Sequence, residues 1–390
     1  MGSSRRSLRG RLRCNRRPDL KRKIPTTPIA KQKLLRALLT SDELSGWPLT
    51  EKGEGLATDR ADLRRALQYP PIAVVVEASV IDKQLTAFGP SLAIAASGQN
   101  RIHAHYNVAA TNSGRASCSD PNLQQVPRDR RFRRLFEAAP GHVLVAGDWH
   151  AMELRAVAHI SGDFKLRQAF RTGEDPHALT ATAMSGIRPQ DVSPEEFAKL
   201  RTAAKAVNFG SIYGMGPSGL MRSAWENYGV VLSEAEARSR LDAFAATYPG
   251  LIQWRNAHAD LCRQRGYIRI GRDFADDRGR VHKFIWNKPG KQAFSFTQSC
   301  NLPVQGACAD AAMRALTIVE RLLFNAGIEG GPVAWLHDQI LLEVPEANAE
   351  KAATLLQQAM IEAFLETFPG APTEGLVEPT IGRNWAEAKG

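Results

Sequence analysis

The spacing of apolar positions changes several times along the chain, and each change predicts an element. Residues 31–70 read as short helices around a glycine-bearing loop at Gly53 to Gly55. Residues 75–90 read as helix and lead to Gly98, where an extended stretch begins. The run His142–Ala146 is short and valine-rich, with Pro140–Gly141 before it and Asp148 after it, which predicts a buried strand. From Met152 to Ile160 the spacing turns helical. Residues 164–260 are alanine-rich and mostly helical, with stops at Gly173, Gly186, Gly214–Gly219 and Pro249. Between Pro332 and Pro345, the apolar runs Val333–Leu336 and Ile340–Val344 flank His337–Asp338–Gln339. That pattern predicts a tight hairpin with a carboxylate at its tip. No internal repeat is visible.

Composition narrows the class. A chain of 390 residues can bury a large core in two or three structural units, and 43% hydrophobic with 23% charged residues is ordinary for a globular protein. No stretch approaches the roughly 20 apolar residues that cross a bilayer, and the N-terminus lacks the apolar centre of a secretory signal. The five cysteines (Cys14, Cys118, Cys262, Cys300, Cys308) are scattered without a CxxC pair, so reduced thiols are expected rather than a zinc site or a disulfide framework. A cytoplasmic location is expected, with organelle import through the Arg/Ser-rich start as the alternative.

The net charge of +11 sits in one place. Residues 1–35 hold 12 of the 51 Lys/Arg against Asp19 alone, whereas the other 355 residues carry 39 charges of each sign. Basic, poor in aromatics and interrupted by Pro18, Pro25 and Pro28, this segment is expected to be a disordered arm that touches phosphates without specificity. Nucleic-acid binding by the body must come from local arrangement.

Two carboxylates stand out. Asp148 ends a buried strand, and Asp338 sits in a hairpin turn much later in the chain. Burying an acid there is costly unless it is paired or binds a metal. On neighbouring strands the two could hold two Mg2+ ions. Strand-end aspartates also serve as helix N-caps, and Asp148 does precede a helix. Arg201, Lys205, Phe209 and Tyr213 recur every four residues with no Pro or Gly before Gly210. At ~100° per residue they form a stripe drifting ~40° per step. Two cations followed by two aromatics suit a nucleoside triphosphate, the cations on phosphate and the rings near the base. The same stripe also describes an amphipathic helix with salt-bridged cations and core aromatics.

Five segments then resemble a known family. AspTrpHisAlaMetGluLeuArg (148–155), ArgThrAlaAlaLysAlaValAsnPheGlySerIleTyrGly (201–214) and LeuHisAspGlnIle (336–340) resemble motifs A, B and C of the family A DNA polymerases. Residues 111–127 look like the family's primer-template segment, and 301–310 look like its palm helix. The resemblance covers about residues 60–390. It implies an α+β right-hand polymerase fold with an antiparallel-sheet palm, helical fingers and a partial helical thumb. The expected division is a basic arm at 1–35, a partial thumb at 36–88, palm at 89–165 and 291–390, and fingers at 166–290.

The resemblance also implies roles. Asp148 and Asp338 would hold two Mg2+ ions, and Arg201, Lys205 and His177 would hold the triphosphate. Phe209 and Tyr213 would shape the base-pair pocket. Glu153 would exclude a ribose 2′-hydroxyl, packed near Tyr213. Arg115, Asn122, Gln305 and His337 would face the duplex or primer end. The implied partners are primer-template DNA, deoxynucleoside triphosphates and an accessory replication protein that compensates for a weak grip, with no membrane. Arg128, Arg130, Arg131, Arg133 and Arg134 are either a solvated face or phosphate contacts.

Two positions depart from the family: Gln339 stands where it usually has Glu, and His150 where it usually has Ser. An amide cannot supply a third negative charge, so any supporting carboxylate role is lost. The roughly 60 residues before the polymerase core are too few for a proofreading exonuclease domain, so none is expected. Competing readings are a single-subunit RNA polymerase or a reverse transcriptase, with Glu153 arguing against RNA synthesis, and a non-catalytic DNA-binding remnant.

Overall fold

The computed structural model describes residues 25–389 apart from 26, 51, 52, 54, 99, 109 and 285–293. The greater part of the expected basic arm, residues 1–24, lies outside the described residues. Two compact units divide after Pro90.

The first unit is helical. α1 (Pro28–Leu38) opens with proline in its first turn and with the Thr27 side chain accepting from the Ala30 amide at 3.2 Å. α2 (Ser41–Ser45) has a capping box between Thr40 and Glu43. α3 (Arg60–Leu63) and α4 (Pro70–Phe88) follow. Leu35, Trp47, Leu56, Leu63 and Ile72 form the core of this unit. The arm expected over 1–35 is therefore shorter than its charge pattern suggests. Helix begins at Pro28 and Leu35 is fully buried, and burying one leucine contributes ~1.5–3 kcal/mol.

The second unit starts beside α5 (Pro90–Ala95). β1 (His105–Asn107) and β2 (Ser117–Ser119) make an antiparallel ribbon. The short α6 (Arg130–Arg133) leads to β3 (His142–Asp148) and α7 (Met152–Ser161). A helical region comprises α8 (Phe164–Thr172), α9 (Pro176–Ser185), α10 (Pro194–Ile212), α11 (Pro217–Tyr228), α12 (Glu234–Thr247) and α13 (Pro249–Arg265). Side chains of Asp163, Asp175, Ser193 and Ser233 cap α8, α9, α10 and α12. Gly173 and Gly186 end α8 and α9 at positive φ, where the sequence places stops, while Pro249 opens α13.

β4 (Tyr267–Ile270) and β5 (Arg280–Lys283) pair next, followed by α14 (Phe296–Asn325), β6 (Gly331–Leu336), β7 (Gln339–Pro345), α15 (Ala349–Thr367) and β8 (Thr380–Gly382). The main sheet runs β6-β7-β3-β8, antiparallel throughout. α14 and α15 pack on each other and α15 packs on β3. At Gly147, the residue before Asp148, a Cβ would sit 2.5 Å from Met360 Sδ on α15. A side chain there would have to displace the Met360 and Leu356 side chains that α15 packs on the strand.

Candidate active site

The register of β3 and β7 brings the two aspartates together. Asp148 faces Gln339, and the Trp149 amide donates to the Asp338 carbonyl at 3.0 Å. The β6–β7 loop is two residues, His337 and Asp338, with His337 left-handed at φ 55°. Trp335 Nε1 holds that tip by donating to the His337 carbonyl at 2.9 Å. Past Asp148, Ala151 is the N-cap of α7, left-handed and without a side-chain cap. Asp148 therefore does not cap the helix. Two non-glycine residues in this backbone region flank the carboxylates, at a cost of roughly 1–3 kcal/mol each that the surroundings must offset.

Those surroundings are identifiable. Trp149 is buried and donates its indole N–H to the Met360 carbonyl at 3.2 Å. Arg155, on α7, is buried over the Phe170 ring and donates to the carbonyls of His150, Pro372 and Glu374 at 3.0, 3.1 and 2.7 Å. Burial lowers its pKa to about 10, so it stays charged at neutral pH and clamps the loop after Asp148.

The aspartates open into a cavity of about 950 Å³. Protein around the Asp338 carboxyl, and then the like charge of Asp148, push its pKa up to about 6, although the side chain faces the cavity mouth. Lys389 Nζ lies 3.1 Å from Asp148 Oδ2 as a local counter-ion. Two adjacent carboxylates that draw in a cation fit divalent ions. Among the described residues no cluster of three or more His, Cys, Asp and Glu could hold a metal. Such a donor set suits Mg2+, which takes its remaining ligands from water and phosphate, better than zinc.

Nine of the twelve singled-out residues line this cavity: Asp148, Asp338, Glu153, His177, Arg201, Lys205, Phe209, Arg115 and His337. Arg201 is exposed, and its Nε pairs with Asp175 Oδ2, while Lys205 and Phe209 are half-buried. Phe209 lies against the His177 ring, centroids 6.0 Å apart.

Tyr213, Asn122 and Gln305 are not on the cavity wall. The cumulative drift carries Tyr213 ~120° from Arg201, to the C-cap of α10, where it is buried with a hydroxyl that has no partner among the described residues. Glu153 forms an ion pair with Arg115, which precedes β2. Burial raises the Glu153 pKa and Arg115 opposes that. Asn122 caps a 3-10 turn by accepting from the Gln124 amide at 3.1 Å, and Gln305 is half-buried on α14.

Other expectations resolve in mixed ways. Gln339 is buried, and its Oε1 accepts from Trp385 Nε1 at 3.2 Å, so this amide serves the core instead of the cavity. The arginine cluster divides: Arg128 lines the cavity, Arg131 pairs with Asp129 at 2.6 Å, and Arg133 is buried over the Trp385 ring. Sequence reasoning missed Asp175, Arg155, Asn208 and Lys389. Asp175 carried a signal, since an aspartate before Pro176 is a helix N-cap beside His177.

Comparison with known proteins agrees with this geometry. Residues 25–387 match DNA polymerase family A. The chain is 33% identical to the thermostable DNA polymerase I of Thermus filiformis over 360 residues, which is 89% of this chain and 40% of that protein. It is also 33% identical to DNA polymerase I of Chloroflexus aurantiacus over 291 residues, 74% of this chain and 29% of the relative. It therefore spans less than half the length of these curated relatives. Among solved structures it resembles the POL domain of Pol1 from M. smegmatis in complex with DNA primer-template and dNTP, with a TM-score of 0.77 and 26% identity. That likeness covers 92% of this chain and 61% of the other. The chain belongs to DNA polymerase family A and has its α+β right-hand polymerase fold.

Proposed function

We propose that the chain is a template-directed DNA polymerase that adds deoxynucleotides to a primer 3′-hydroxyl, using two Mg2+ ions held by Asp148 and Asp338. One observation carries this reading: a single cavity has two carboxylates on the sheet and two cations, Arg201 and Lys205, on α10. A primer end and a nucleoside triphosphate present the complementary charges. When bound, the ions would activate the primer hydroxyl and neutralise the leaving pyrophosphate. The chain's own residues supply position: Arg201, Lys205 and His177 hold phosphate, Phe209 backs the base, and Glu153, held by Arg115, fills the space beside the sugar.

The M. smegmatis complex, with its primer-template and dNTP, supports the same partners here. In this reading residues 89–165 and 291–390 are palm, 166–290 fingers and 36–88 part of a thumb. Gln305, Asn122 and His337 remain the candidate duplex contacts. A single-subunit RNA polymerase shares the two-metal chemistry, and Glu153 favours the deoxy substrate.

Primer extension tests the proposal. Asp148→Ala and Asp338→Asn should each lower extension by several orders of magnitude while barely weakening DNA binding, because the lost anion holds metal rather than DNA. Near wild-type extension by Asp338→Asn would refute the metal assignment. The proposed activity is extension without proofreading, so a mismatched, end-labelled primer incubated without nucleotides should stay intact.

A further inference from the structure

His177, expected to help hold a triphosphate, is a buried imidazole on the cavity wall. Its burial lowers its pKa to about 4, with Arg201, Lys205 and His150 adding to the shift and Asp175 opposing it. At neutral pH the ring has no charge with which to hold a triphosphate. A neutral imidazole still donates one hydrogen bond, and the partner of one nitrogen decides which nitrogen carries the proton.

That partner is Asn208. It is 1% exposed on α10, and its Nδ2 lies 2.8 Å from His177 Nδ1. The same Nδ2 lies 3.4 Å from the Pro176 carbonyl, which can only accept. Reversing the amide would set Oδ1 against that carbonyl oxygen, so the donor orientation is the compatible one. Among the described residues, Asn208 Oδ1 has no partner. A buried amide with an orphaned acceptor is costly, and an apolar side chain would avoid that cost. The amide is therefore explained by what its other end does. The mount is rigid: Thr180 and Tyr248 hydroxyls also donate to the Pro176 carbonyl at 2.9 and 3.4 Å, and Asp175 caps α9 through the His177 amide at 2.9 Å.

We infer that Asn208 is a positioning residue: by donating to Nδ1 it keeps His177 in the Nε2–H tautomer, so that the ring presents one fixed N–H to a phosphate oxygen of the incoming nucleotide. The identity of that anion rests on the polymerase reading, whereas the tautomer does not.

The test combines spectroscopy with kinetics on the full chain. With 15N-labelled histidine, the His177 signals, identified by their loss in His177→Gln, should show a protonated Nε2 and a bare Nδ1, unchanged from about pH 5.5 to 8. Asn208→Leu should raise the KM for the nucleotide about tenfold, the loss expected when a donor to a charged group is no longer aimed, and change kcat less. Asn208→Asp keeps the volume but accepts from Nδ1–H. The ring then binds its proton more readily, and the nucleotide KM should become pH-dependent near neutrality, which a merely structural role would not produce. A wild-type ring protonated at Nδ1, or exchanging between tautomers, overturns the inference whatever the kinetics. A locked ring with unchanged KM in both variants overturns the phosphate contact. A locked ring in a chain that extends no primer sinks the polymerase reading and keeps the tautomer assignment.

Discussion

Replacing Glu153 separates the geometry of the sugar site from its electrostatics. The residue lies in the first turn of α7, five positions beyond Asp148, with its side chain 18% exposed and paired to Arg115. Glu153→Ala removes both the carboxylate and the volume beside the proposed sugar position. If that volume excludes a 2′-hydroxyl, its loss should cost at least ~3 kcal/mol of discrimination, or more than about a hundredfold in ribonucleotide over deoxyribonucleotide selectivity. The same change leaves Arg115, 34% exposed, without its acid. This pair lies between a surface ion pair and a fully buried one, so stability should fall by about 1–2 kcal/mol.

Glu153→Gln separates these effects. Its shape is nearly unchanged and its amide oxygen can still accept from Arg115, so the stability loss should be smaller and the sugar selectivity should stay within about fivefold of wild type. The measurement competes a ribonucleotide against its deoxy analogue opposite one template base, beside denaturant unfolding of the three proteins. Unchanged selectivity in Glu153→Ala would show that the side chain is an ordinary first-turn acid. Such acids are worth only a few tenths to ~1 kcal/mol through the helix dipole. Equal loss in Gln and Ala would show that charge, not volume, excludes the hydroxyl.

Three further outcomes are expected. Burial, with Arg265 adding to it, lowers the His258 pKa to about 4. The unfolded ring takes its proton near pH 6.5 and the folded ring only near 4, so this group's contribution is present at neutral pH and lost as pH falls through that window. Unfolding of His258→Gln should show a flatter loss between those values, and an identical profile would exclude the residue. Lys389→Ala removes the cation paired with Asp148, both partners being about a third exposed or more. An exposed pair is worth ~0–1 kcal/mol, so half-saturating Mg2+ in extension should fall by no more than about fivefold, and a rise would mean that Lys389 assists rather than competes. Removing residues 1–24 deletes a net charge of +9, which should flatten the salt dependence of duplex binding while leaving incorporation at saturating DNA near normal. Equal slopes with and without the segment would make it irrelevant to binding.

Local features of this protein were legible in the chain because they depend on neighbours in sequence. The valine-rich β3, the hairpin presenting Asp338, and the glycine stops of α8 and α9 each follow from spacing, turn chemistry and caps within a few residues. The motif order was legible as well, and it identified nine residues that one cavity gathers. Periodicity could not say what fills the space around them. The four-residue stripe treated Arg201 and Tyr213 as alike, but the twist of a real helix buries Tyr213. Charge counting assigned 1–35 to a disordered arm, while packing against Trp47 and Ile72 draws Leu35 into a core.

The pairs Arg115 with Glu153, Asn208 with His177, Lys389 with Asp148 and Trp385 with Gln339 join residues 31 to 241 positions apart. No local pattern specifies such partners. They are fixed when β3 meets β7 in one register and α9 packs on α10, because only then do these side chains come within hydrogen-bonding distance of one another. The sequence thus determined which acids and cations the site has, and the tertiary structure decided which of them are already paired.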